Sequence, residues 1–117
     1  ADGGTRTASI TGACVALADA TAWLARTTGV PDPFGCLVAA VSVGVVEGEV
    51  RLDLNYLEDK DAGVDANFVM LEPDRFVEVQ GTGEAGTFSR AELDSLLAYG
   101  ERGIARLFAL QRKALGR

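Results

Sequence analysis

The chain has no histidine. That removes the commonest general base at neutral pH and any imidazole-bound metal. Cysteine is scarce: Cys14 and Cys36 each sit inside an apolar pattern, with no partner at metal spacing. Two buried free thiols in a reducing compartment, the cytoplasm, are expected rather than a disulfide framework. Long apolar runs are missing. None approaches the roughly 20 residues that cross a bilayer, and no secretory signal is visible at the start, so no membrane partner is expected. Positive charge is short as well. Eleven Lys+Arg against 17 Asp+Glu leave a net charge of −6. Such a chain should not grip nucleic acid by bulk electrostatics.

What is present is a globular composition, with 48% hydrophobic residues. Residues 1–117 are enough for a single domain with a modest core. The charge is uneven. Acids crowd the stretch 47–65 (Glu47, Glu49, Asp53, Glu58, Asp59, Asp61, Asp65), while Arg90, Arg102, Arg106, Arg112, Lys113 and Arg117 fall in the last third.

Ala1-Asp2 reads like the tail of a strand. The apolar spacing after Gly3-Gly4 predicts a helix over about 5–27, stopped by Gly29 and the Pro31-Asp32-Pro33 loop. Residues 36–46 are nearly all apolar and rich in valine, as in a strand buried on both faces. Glu47-Gly48-Glu49 is a hairpin turn. Val50, Leu52, Leu54 and Tyr56 then alternate with Arg51, Asp53 and Asn55, which predicts a half-buried strand over 50–56. Polar, acidic chain over 57–65 leads to strands over 66–71 and 76–80, with Glu72-Pro73-Asp74-Arg75 as the turn between them. Ser89 and Glu92 form a capping box for a last helix over about 90–115. An α+β fold follows: a mixed β-sheet of about four to five strands with two long helices packed on it.

Three stretches have chemistry to offer. At the first, Gly3-Gly4 precedes a helix start, whose N–H groups and partial positive charge suit an anion. Thr5 adds a hydroxyl, and Arg6 a planar fork that matches phosphate oxygens. The segment fits a small phosphate site, or an ordinary glycine turn with Thr5 as cap. At the second, Asp59 and Asp65, with Asn67 close behind, bracket a loop between two strands. Paired carboxylates at one end of a sheet can hold Mg²⁺; a solvated acidic loop has the same look. The third, Glu78 to Glu84, fits a structural support for the other two. The basic residues of the last helix fit a solvated face, and Trp23 and Phe108 a core or an interface.

Together these stretches resemble one family. Residues 1–12 (ADGGTRTASITG) look like the phosphate-binding segment of ribonuclease PH. VAAVSVGVV at 38–46, LDLNYLED at 52–59, VDAN at 64–67, FVEVQGTGE at 76–84 and FSRAEL at 88–93 resemble its later segments, in order. The resemblance implies the C-terminal half of a phosphorolytic 3′→5′ exoribonuclease that trims tRNA precursor 3′ ends with inorganic phosphate and releases nucleoside diphosphates. It implies that Gly4, Thr5 and Arg6 hold the attacking phosphate and that Asp59 and Asp65 are the active-site pair, with Mg²⁺ required. It further implies a homo-oligomer, a hexameric ring of dimers. An N-terminal half, carrying another phosphate-contacting arginine and much of the RNA surface, is not in this chain. Without it the chain is expected to be inactive. Leu57 and Ala66 depart from the family, which commonly has Glu and Met there. A polynucleotide phosphorylase or exosome-type ring subunit, or a non-catalytic piece, is the alternative.

Overall fold

The computed structural model describes residues 2–117; the part of the expected strand tail at Ala1 lies outside them, and Asp2 is not in a strand. The elements run α1 (Thr5–Thr28), β1 (Val38–Val46), β2 (Glu49–Leu52), α2 (Tyr56–Asp61), β3 (Val64–Leu71), β4 (Arg75–Gly83) and α3 (Arg90–Leu115). The sheet order is β2-β1-β3-β4. The α+β class and the two long helices are as expected. The sheet is not mixed, however: its pairings are all antiparallel. Parallel neighbours need a crossover of about a dozen residues or more. Here tight turns and one six-residue helix join the strands.

The sheet has two unlike faces. On one, Val41 and Val43 of β1 and Ala66 and Phe68 of β3 meet Leu96, Ile104 and Phe108 of α3 and Cys14 of α1. Gly100 lets α3 come this close. A Cβ there would lie 2.4 Å from the Phe68 ring. The second face has a small cluster of Val46, Leu54 and Ala62 at one end, and its other positions are largely polar.

Helix α1 lies along the edge of β1 that β2 leaves unpaired. The β1–β2 ladder covers only Val43 to Val46 of β1. Beyond it the Asp53 N–H donates to Ser42 O at 2.7 Å. The Ala40 N–H donates to Thr11 Oγ1, which donates back to Ala40 O. Gln111 Nε2 of α3 donates to Val38 O and to Thr11 O. Side chains thus do for this edge what a further strand would.

The structure corrects several expectations. Strand β2 ends at Leu52, not Tyr56. Asp53 takes a left-handed φ of 60°. Asn55 then caps α2, its side chain accepting from the Glu58 N–H while Glu58 accepts from the Asn55 N–H. That reciprocal cap overrides the alternation, so Leu54 is buried but Tyr56 is exposed. Strand β3 starts earlier than expected, at Val64, and β4 runs on to Gly83. Gly4, not Thr5, is the N-cap of α1. Cys36 lies before β1 and is exposed; only Cys14 is buried. Helix α1 is long and apolar enough, by length and composition alone, to cross a membrane. The sequence shows no unbroken apolar run because polar residues interrupt it, the hydropathy coming mostly from alanines with Ile10, Cys14, Val15, Leu17 and Leu24. Of the core or interface expected for Trp23, the core is ruled out: Trp23 is exposed on that helix.

Candidate functional site

The second face of the sheet gathers the candidate residues. Alternation puts Asp65, Asn67 and Val69 of β3 on it. Cross-strand register then builds three rows from β1 through β3 to β4. These are Ala40–Val69–Glu78, Ser42–Asn67–Gln80 and Gly44–Asp65–Thr82. An irregularity in the β3–β4 ladder lies just past the first row, between Val69 and Met70. It lets Phe76 pair with Met70 of the core face while Glu78 stays on the polar one.

The start of α1 stands beside β1, with Gly4 next to Asp53 and Ser42, and its Arg6 side chain reaches the Glu78 row at one end of this face. Gly3 has φ 120° and Gly4 φ 60°. A Cβ at Gly3 would lie 2.5 Å from Leu54 O, so only glycine lets the turn nest on the Asp53–Asn55 bend. Gly4 gives no side-chain cap, and the first turn holds no acidic residue. The N–H groups of Thr5, Arg6 and Thr7 therefore have no intrahelical acceptor. Arg6 reaches Glu78 of β4, Nη2 to Oε2 at 2.5 Å, with both side chains partly exposed. One contact leaves most of the arginine's five donors free. Asp53 stands beside the same turn: its Oδ1 would be 3.6 Å from a Cβ on Gly4.

At the other end, α2 carries Asp59 over Asp65. Asp59 is the charged group that bears most on the Asp65 carboxyl. Asp65 is pushed up to about 6, first by burial and then by the charge and hydrogen bond of Asp59, with Glu84 adding to it. Two carboxylates at such range resist ionising together. Helix α2 is fixed for this by its cap and by Arg51, whose Nη1 donates to Glu58 Oε2 at 2.9 Å. That bond holds the Glu58 carboxyl below its usual range.

The pair suits Mg²⁺, a hard cation often held by one or two carboxylates with water completing its shell. Among the described residues no group of three or more His, Cys, Asp or Glu gathers at metal range. The Arg6 row lies four residues from Asp65 along β3, about 13 Å at a strand's rise.

The glycine turn and the two aspartates are visible in the sequence as candidates, but the strand rows that lie between them are not. Glu78 as the partner of Arg6, and Gln80 beside Asn67, follow only from register. The pairwise spacing of Asp65 with Asn67, and of Glu78 with Gln80, is the one signal in the chain. Arg106, read as part of a solvated face, lines a groove of about 660 Å³ between α1 and α3 together with Gly4, Thr7 and Asp53.

Residues 36–103 match the sequence model of the 3′ exoribonuclease family, domain 2. Ribonuclease PH of Nocardia farcinica is 56% identical over 117 residues, covering 98% of this chain and 46% of that protein. Ribonuclease PH of Corynebacterium glutamicum is 59% identical, covering 99% and 48%. The chain spans about half the length of the curated relatives it matches. Rice (Oryza sativa) Rrp46 superposes with a TM-score of 0.72 at 24% identity, covering 99% of this chain and 50% of that one; it shares the fold.

Proposed function

The chain belongs to the 3′ exoribonuclease family, and from that membership we propose that it is the C-terminal half of a phosphorolytic exoribonuclease that trims the 3′ ends of tRNA precursors. One observation carries the proposal. A helix start whose arginine fork is only partly taken by Glu78, and an Asp65 carboxyl raised by burial and by Asp59, share one sheet face.

In the reaction an oxygen of inorganic phosphate attacks the phosphorus of the last phosphodiester. The bond to the 3′ oxygen of the preceding nucleotide breaks. That oxygen leaves with a proton as the new RNA 3′ end, and the terminal nucleotide departs as a 5′-diphosphate. Gly4, Thr5 and Arg6 bind the attacking phosphate, through the N–H groups of the helix start and the guanidinium. Arg6 exchanges part of its contact with Glu78 for phosphate oxygens. Asp59 and Asp65 would hold Mg²⁺, which when bound offsets negative charge on the phosphoryl oxygens. Burial and the nearby Asp59 disfavour ionised Asp65, and a cation there would offset that.

The net charge of −6 puts most of the grip on RNA elsewhere. The other half, present in relatives about twice as long, is the source we assign to it. Assembly follows the same scheme, as a hexameric ring of dimers working in the cytoplasm. The half-length coverage also favours a second reading, in which this chain alone is a non-catalytic piece, as in a ring subunit.

One assay separates the two. A tRNA precursor is incubated with Mg²⁺ and inorganic phosphate, with the chain alone and with a full-length chain. Phosphate-dependent nucleoside diphosphates from the full-length chain only are the expected result. Nucleoside monophosphates released without phosphate would overturn phosphorolysis. Release by the isolated chain would overturn its dependence on a second half.

A further inference from the structure

Between the Arg6–Glu78 contact and the Asp59–Asp65 pair lies the row Ser42–Asn67–Gln80. Asn67 and Gln80 are direct cross-strand partners, which brings their Cβ atoms to about 5 Å of each other. Glu78 is one step away on β4 and Asp65 one step away on β3, each about 6.6 Å along its strand. Ser42 is already engaged in the fold, since its Oγ accepts the Leu54 N–H at 3.2 Å. The two amides are not. Among the described residues neither side chain bonds to another protein group, whereas Glu78 one step away is engaged by Arg6. Gln80 is exposed and Asn67 half-buried. Two NH₂ donors therefore sit unspent on the same face as the arginine and the aspartates.

We propose that Asn67 and Gln80 bind the scissile phosphodiester, donating from their amide NH₂ groups to its non-bridging oxygens. The proposal rests on the phosphorolytic reading above. If the nucleophile is held at the Arg6 end and the carboxylates act at the other, the phosphorus under attack lies between them. The row in between is this one. As the new P–O bond forms and the bond to the 3′ oxygen breaks, charge is spread over the equatorial oxygens of the transferring group. Neutral donors carried on paired strands can meet that charge. They also add no charge between a cationic and an anionic end. A carboxylate in the same place would repel the phosphoryl oxygens.

The test uses the full-length chain with Gln80→Ala, Asn67→Ala, the double variant, and the near-isosteric Gln80→Glu. Phosphate-dependent release is followed on RNA with an ordinary or a phosphorothioate last linkage. We expect kcat to fall about tenfold for each alanine, less than the roughly 10²–10³ that losing a preorganised oxyanion donor costs. Gln80→Glu should fall further. The phosphate KM should stay within about twofold, and the rate ratio between ordinary and phosphorothioate linkages should shrink. Exposed Gln80 gives variants that fold, so its melting temperature should not move. Gln80→Ala and the double variant both keeping wild-type kcat and thio ratio would overturn the proposal while leaving phosphorolysis intact. A change confined to the phosphate KM would overturn it too, since the amides would then serve the nucleophile. A wild type that releases no nucleoside diphosphates overturns both readings.

Discussion

Replacing Asp65 with asparagine should make the protein more stable at neutral pH. The Asp65 carboxyl is raised from its ordinary 3.8 to about 6, by burial first and by Asp59 second. A raised carboxyl binds its proton more tightly folded than unfolded. As pH climbs between those two values the unfolded chain gives up the proton first, so stability falls across the window and is flat above it. At about 1.36 kcal/mol per pH unit the full rise is worth roughly 3 kcal/mol. Asp65 is only half-buried, and solvent screening cuts this to about 1 kcal/mol. Asparagine keeps the shape and removes the charge. Its melting temperature, with chelator present, should match wild type near pH 4 and exceed it by about 3–5 °C at pH 7 and above. Mg²⁺ should raise the wild-type melting temperature and leave Asp65→Asn unmoved. A variant less stable than wild type at pH 7, or a difference that does not change with pH, would refute the reasoning.

Three further outcomes follow from other parts of the fold. Arg6→Lys keeps the charge but loses the fork, so the phosphate KM in the trimming assay should rise about tenfold or more; an unchanged KM removes Arg6 from the phosphate site. Asn55→Ala removes the cap of α2 and should cost about 1 kcal/mol in denaturant unfolding. Because α2 carries Asp59, it should also weaken the thermal response to Mg²⁺, and a full response would show that the helix does not position the pair. Gly100→Ala puts a methyl against the Phe68 ring and should cost about 1–3 kcal/mol by overpacking, read as a lower denaturation midpoint.

Much of the scaffold was legible because local patterns and tertiary needs agree. The valine-rich run of β1 is buried on both faces, as its lack of alternation says. Ser89 and Glu92 start α3 where a capping box should. Residues 50–56 misled because two local codes overlap there: alternation runs on to Tyr56, while Asn55 and Glu58 already write a helix start. The left-handed Asp53 where they meet has no signature in a non-glycine residue. The ends of the site were legible as types of chemistry, a glycine turn before a helix and two aspartates around a loop. Their shared face was not. It depends on the register of Asp65 with Thr82 and of Val69 with Glu78, and one slipped residue would send every one of these side chains to the core. Nor does composition reveal that α1 lies along an open strand edge, since Thr11 and Gln111 look like any polar residues until their backbone partners are known.

The origin of the released nucleotide's second phosphate tests the central claim most directly. The full-length chain is given RNA, Mg²⁺ and radiolabelled inorganic phosphate, and the products are separated. Label in the β-phosphate of released nucleoside diphosphates is the result predicted here, lost on Arg6→Ala and on Asp65→Ala. Unlabelled nucleoside monophosphates formed at the same rate without phosphate would contradict it.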